Sequence, residues 1–283
     1  MSVRSPSVTE LRAAGVQGAG SLRIDRMGTG TPVALLHGFT QNARAWGTFC
    51  EVLSATHAVR AVDLPGHGGS TEIRADLWQT GDLVADGCGQ CDYIGYSLGG
   101  RVLLHTAIRR PEVVGRAVLI GATAGIEDQG EREARIAADE LIATELDDAG
   151  DDSGALGAFL SRWLAGPLFC DLTDEAAQTG ARMENRASGL ASSLRLCGAG
   201  TQEPLWQRVG DLAMPVLVIA GERDARFTIL GEKLAQAIGS NARFAVVPGA
   251  NHACQLERPE ETAAIVEDFL SRTEAAPGRP SPA

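Results

Sequence analysis

Apolar residues in the first half of the chain fall in short unbroken runs separated by polar, periodic stretches. Residues 32–36 (PVALL), 57–62, 91–95 and 116–120 have the length and continuity of strands buried on both faces. Between them, 46–53, 76–85 and 98–109 read as helices, the last closed by Pro111. Strands that alternate with helices in this way predict a parallel sheet with helices on both faces. In such sheets functional groups collect at the carboxyl ends of the strands.

The pattern changes between residues 122 and 207. Strand-like runs stop, and 131–146, 155–164 and 174–184 read as helices, with a turn-like 147–154 among them. This stretch reads as a helical lid, an insertion of the kind that shapes substrate choice. The alternation resumes with a strand at 215–220, a helix at 228–238, a strand at 242–247 and a closing helix at 259–272 that has Pro259 in its first turn. The expected organisation is an α/β core at 21–121 and 208–273, a helical lid at 122–207, and flexible ends at 1–20 and 274–283. The fold class is α/β, with a mostly parallel sheet flanked by helices.

Composition narrows the function. The 283 residues carry a net charge of -11, which repels nucleic acid and anionic membranes, so neither partner is expected. The substrate should be a small molecule, and an anionic one would need locally gathered arginines. The apolar runs are far too short to span a bilayer. The first ten residues lack the apolar stretch of a signal peptide, so a cytoplasmic location is expected. There the six cysteines should be reduced. Cys88 and Cys91 have a metal-like spacing but no second ligand pair nearby, and no glycine-rich dinucleotide fingerprint follows the first strand. No metal or organic cofactor is expected.

Gly95-Tyr96-Ser97-Leu98-Gly99 fits G-x-S-x-G, with a strand before it and a helix after it. That context presents the serine on a sharp turn, with the positive end of the helix behind it. A serine hydroxyl is a poor nucleophile at neutral pH and needs a base, oriented in turn by a third group. Of the five histidines, His252 stands in a loop after the last strand, whereas His57 opens a strand and His105 lies within a helix. The carboxylate should come between serine and histidine in the chain. Asp224, just past the 215–220 strand, fits, with Glu222 as its rival. An oxyanion hole would take the amide of Leu98 and one from the loop after 32–36, where Phe39 is the candidate.

The motifs His37-Gly38-Phe39, Asp63-Leu64-Pro65-Gly66-His67-Gly68, Gly95 to Gly100, Gly221-Glu222-Arg223-Asp224 and Asn251-His252 together resemble the successive signatures of the α/β-hydrolase superfamily. The resemblance runs from about residue 31 to 270. Serine at position 97 argues against the haloalkane dehalogenases and epoxide hydrolases of this fold, which carry aspartate there. A closer resemblance is to the 2-succinyl-6-hydroxy-2,4-cyclohexadiene-1-carboxylate synthases of the menaquinone pathway. It rests on His37-Gly38-Phe39-Thr40, on the elbow ending at Arg101, on 159–169 (FLSRWLAGPLF) and on a helix like 182–190.

That resemblance implies that Arg101, Arg182 and a lid arginine, Arg135 with Arg132 as its rival, bind substrate carboxylates, and that Trp163 and Tyr96 line the pocket. It also implies that Ser97 removes a proton with help from His252, and that pyruvate leaves without an acyl-enzyme. Arginine forks suit carboxylates, although Arg135 could instead pair with Asp139 one turn along its helix. The same triad would serve a carboxylesterase, a thioesterase or a carbon–carbon hydrolase. A non-catalytic ligand receptor would be expected to lack a triad member, and all three positions are filled.

Overall fold

The computed structural model describes residues 20–150, 152–169 and 171–272. The ends expected to be flexible lie outside these residues, except for Gly20. Seven strands form one sheet: β1 (Ile24–Met27), β2 (Thr31–Leu36), β3 (His57–Val62), β4 (Cys91–Tyr96), β5 (Val114–Ile120), β6 (Val216–Gly221) and β7 (Ala242–Val247). Their spatial order is β1-β3-β2-β4-β5-β6-β7. Strands β2 to β7 run parallel, and β1 pairs antiparallel with β3 at the edge. Each of the six strands read from the apolar runs is present within two residues of its expected ends.

The edge strand β1 was not expected. Its four residues include Asp25 and Arg26, so no apolar run marks it. It exists because its backbone pairs with β3, from Ile24 opposite Val62 to Met27 opposite Val59.

Helices α1 (Gly47–Ser54), α2 (Leu77–Cys88) and α3 (Leu98–Arg109) precede β5. Between β5 and β6 lie α4 (Gln129–Ala149), α5 (Ser153–Leu164), the single turn α6 (Thr179–Arg182) and α7 (Ala187–Cys197). Helices α8 (Ala225–Ile238), α9 (Cys254–Glu257) and α10 (Pro259–Ser271) complete the chain.

Neighbouring residues on a strand point to opposite faces, and each face has its own core. Leu36, Tyr93, Leu119 and Val218 pack with α2, α3 and α8. Leu35, Ile94, Val118 and Ile219 pack with α1 and α10. Every residue of β4 and β6 is buried, which explains the apolar run of β6 and of β4 apart from Asp92, whose carboxylate pairs with Arg116. Each such Leu, Ile or Val contributes roughly 1.5–3 kcal/mol through removal from water. A third, smaller cluster joins α4, α5 and α7 through Leu146, Phe159, Leu160, Leu190 and Leu194. The segment between β5 and β6 therefore has a core of its own.

Two helical expectations in this segment need correction. Residues 174–184 do not form one helix. Turns occupy its start, Gln178 is left-handed at φ 52°, and only Thr179–Arg182 is helical. Nor is 182–190 continuous, because the helix stops at Arg182 and a new one starts at Ala187. The cause is tertiary: the Asn185 amide donates to the carbonyls of Thr40 and Arg182, at 2.8 and 3.0 Å, fixing the chain in a non-helical path.

Cys88 ends α2 and Cys91 opens β4, both buried and unbridged. Burial pushes their thiols up to about 12 and about 11. Among the described residues, no group of three or more His, Cys, Asp or Glu stands together to hold a metal, and no helix is long and apolar enough to cross a membrane.

Candidate active site

Ser97 stands between β4 and α3 with φ 50° and ψ -105°, a conformation that a side chain adopts only under constraint. The constraint is the glycines around it. A Cβ on Gly99 would lie 1.8 Å from the Leu36 carbonyl oxygen, and one on Gly95 would lie 2.4 Å from that of Gly99. The strand and helix approach too closely for any side chain at either position. The Ser97 amide donates to the Ile120 carbonyl at 2.8 Å, tying the turn to β5.

His252 lies on the loop after β7. Its Nε2 is 3.3 Å from Ser97 Oγ, and its Nδ1 is 2.7 Å from Asp224 Oδ2. Asp224 caps α8, its Oδ1 accepting the Phe227 amide at 3.1 Å, so the helix end orients the carboxylate. Glu222 points elsewhere and accepts the Gly249 amide at 2.8 Å. Gly121, at φ 55°, leaves room for the imidazole, since a Cβ there would lie 3.0 Å from His252 Cε1. Asp224 and His252 are both buried, and the ring of Phe227 packs 4.5 Å from that of His252.

The loop after β2 faces Ser97. His37 is fully buried; its Nε2 accepts the Leu64 amide at 3.0 Å, so the ring proton sits on Nδ1 and donates to the Gly38 carbonyl at 2.8 Å. Thr40 is left-handed at φ 67°. Its carbonyl accepts from Asn185, and its hydroxyl accepts from Arg182. Among the described residues, two of the three side-chain-bearing residues with positive φ, Thr40 and Ser97, thus flank one site, where such strain usually signals function. The amides of Phe39 and Leu98 have no acceptor among the described residues.

Ser97 and His252 open into a cavity of about 150 Å³. Tyr96, Trp163, Phe39 and Phe169 supply its aromatic wall, with the Trp163 ring 5.2 Å from Phe39. The Tyr96 hydroxyl and Trp163 Nε1 are buried without a hydrogen-bond partner among the described residues. A buried donor left unpaired is a place for a ligand acceptor.

The charges in this cavity are one-sided. Arg101, Arg135, Arg182 and Arg226 line it, and among the described residues no carboxylate does. Arg101 donates through Nη1 to the Cys197 carbonyl at 2.7 Å, and Arg182 through Nε to the Ala177 carbonyl at 2.7 Å. Both are buried, and desolvation lowers each guanidinium to about 10. Buried cations are normally paired with carboxylates, yet neither has an ion pair among the described residues. Arg135 reaches the cavity while its Nε donates to Asp139 at 2.8 Å. The pairing expected along that helix and the cavity position thus coexist. Arg132 lies elsewhere, donating to the carbonyls of Ile126 and Glu127.

Comparison with known proteins places the chain in a family. The profile of the alpha/beta hydrolase family fits residues 33–265. The chain belongs to the alpha/beta hydrolase family. A relative from Bacillus subtilis, named as a putative 2-succinyl-6-hydroxy-2,4-cyclohexadiene-1-carboxylate synthase, is 32% identical over 84% of this chain and 90% of its own. The structure of MenH from S. aureus superposes with a TM-score of 0.78 at 26% identity, covering 88% of this chain and 97% of that one. An esterase from Thermogutta terrifontis shares the fold, with a TM-score of 0.73 at 23% identity over 88% of this chain and 92% of its own. This alpha/beta hydrolase is an enzyme of the family, with its cavity at the carboxyl ends of the strands.

Sequence reasoning did not single out Arg226, Phe227, Phe169 or Glu257. The first two lie two and three residues after Asp224, and the helix capped by Asp224 was the available signal. The other two approach His252 only through the fold.

Proposed function

We propose that this enzyme acts in the cytoplasm on a small polycarboxylate, eliminating pyruvate to form 2-succinyl-6-hydroxy-2,4-cyclohexadiene-1-carboxylate in menaquinone biosynthesis. One observation carries the reading: four arginines and, among the described residues, no carboxylate line the cavity into which Ser97 opens. On a chain of net charge -11, that concentration of positive charge fits an anionic ligand. The names of relatives that match along most of their length support the particular reaction.

In this reading Asp224 accepts a hydrogen bond from the Nδ1–H of His252 and holds Nε2 toward Ser97 as a base. The Ser97–His252 contact of 3.3 Å is long and is expected to shorten around the substrate. Ser97 Oγ takes the substrate proton as its own passes to Nε2. The electron pair of the broken C–H bond forms a new carbon–carbon double bond as the C–O bond to the enolpyruvyl group breaks, and the departing enolate takes the proton held on His252 at its carbon to become pyruvate. The amides of Phe39 and Leu98 stabilise an oxyanion that develops on the way. Arg101, Arg182 and Arg135 bind carboxylates, Tyr96 and Trp163 line the pocket, and residues 122–207 act as the lid. The same groups would make an esterase, thioesterase or carbon–carbon hydrolase if Ser97 attacked a carbonyl.

The test is pyruvate release from the enolpyruvyl precursor beside a short-chain ester panel, with wild type and Ser97→Ala. Release that falls by at least about a thousandfold in the variant, with negligible ester cleavage, is the expected result. Ester cleavage that needs Ser97, with pyruvate release at the spontaneous rate, would establish a hydrolase instead.

A further inference from the structure

The four cavity arginines differ in what else they hold. Arg101 and Arg182 are buried and each gives donors to backbone carbonyls. Arg135 shares its charge with Asp139. Arg226 is different: it is exposed, on the first turn of α8, and has no ion pair or hydrogen bond among the described residues. Its neighbours in the chain are tightly placed. Asp224 is bonded to His252, and Phe227 packs against the His252 ring. Arg226 therefore projects from a fixed base beside the imidazole with all five donors available.

We propose that Arg226 is a substrate-recognition residue, which takes a carboxylate at the solvent end of the cavity while Arg101 and Arg182 hold anionic groups at the buried end. The proposal rests on the anionic-substrate reading of this cavity and adds a requirement to it: the substrate carries carboxylates at both ends. Three features support the assignment. Of the four, Arg101 and Arg182 are buried, Arg135 is half-buried and Arg226 alone is exposed, which sets it at the solvent side of the group. The guanidinium carries no competing carboxylate that would have to be displaced. Its fork suits two-point binding of a carboxylate, whereas a lysine would supply a point charge.

The experiment compares wild type, Arg226→Gln and Arg226→Lys in steady-state pyruvate release from the enolpyruvyl precursor. Because the side chain is exposed, all three should share one melting temperature. The expected result is a KM about tenfold higher for Arg226→Gln, the scale of one charge-assisted hydrogen bond at a half-open site, with kcat within about twofold. Arg226→Lys should recover part of the loss. A KM for Arg226→Gln within about twofold of an active wild type would overturn the proposal.

If the wild type releases no pyruvate, the elimination reading fails, and citrate binding by calorimetry decides the role of Arg226 separately. Affinity at least about fivefold weaker in Arg226→Gln would support the residue as a carboxylate ligand. Equal affinity, or no binding to wild type, would overturn it.

Discussion

Glu257 holds the backbone on both sides of His252: its Oε2 accepts the Asn251 amide at 2.7 Å and its Oε1 the Ala253 amide at 3.1 Å. The side chain is half-buried on α9, and burial raises its carboxyl above the usual range. One carboxylate thus fixes the loop that sets the direction of the imidazole. Glu257→Ala is expected to lower kcat about tenfold or more while changing KM little, because misplacement of a base acts on the chemical step. Stability should fall by about 1–3 kcal/mol as two amides lose their acceptor. Kinetics together with a denaturant melt check both, and a kcat within about twofold of wild type would show that the loop holds itself.

Arg101 illustrates the cost of a ready binding site. Lowering of its guanidinium to about 10 by burial amounts to roughly 3 kcal/mol against the charged form. Arg101→Met removes that charge and keeps an unbranched stem. The variant should be as stable as wild type, or more stable by about 1–2 kcal/mol, while kcat/KM falls at least about tenfold. Urea unfolding and steady-state kinetics measure the two effects. A loss of stability with unchanged kcat/KM would make Arg101 a structural residue.

Gly99 can be tested with a single methyl group. Its Cβ would lie 1.8 Å from the Leu36 carbonyl oxygen, a backbone atom at the end of β2 that cannot retreat without parting the strand from α3. Gly99→Ala is expected to cost more than about 4 kcal/mol or to prevent folding. Circular dichroism on heating is the check, and a melting temperature equal to wild type would contradict the close approach.

Three buried histidines make stability depend on pH. Desolvation lowers His37 to about 4, His67 to about 3 and His105 to about 4, from 6.5 in the unfolded chain. Between these values the unfolded state binds more protons than the folded one. The contribution is therefore complete above about pH 6.5 and is lost as the pH falls, at up to about 1.4 kcal/mol per pH unit for each histidine. Asp92 and Asp139, whose carboxyls burial raises, act in the opposite direction. Urea midpoints should fall from pH 7 to pH 5, with all three ring signals untitrated above about pH 5. A ring that titrates near 6.5 would mean that it is solvated in the folded state.

The sequence by itself determined the central sheet and the elbow. Strand β6 is buried on both faces and holds only apolar residues and a glycine, so the run in the sequence is the strand, while β4 admits one carboxylate, Asp92, by pairing it with Arg116. Gly95 and Gly99 are likewise dictated locally, by a turn too tight for side chains. Tertiary structure decided the rest. The β1 strand forms by backbone pairing, which does not depend on side-chain pattern. The break between α6 and α7 follows from Asn185 binding a loop more than a hundred residues away. The grip of Glu257 on the His252 loop, and the lack of a partner for Arg226 among the described residues, depend on which groups meet in space. An arginine reads the same in a sequence whether a carboxylate faces it or not, and only the fold brings four of them around one cavity, of which Arg135 alone has an ion pair among the described residues.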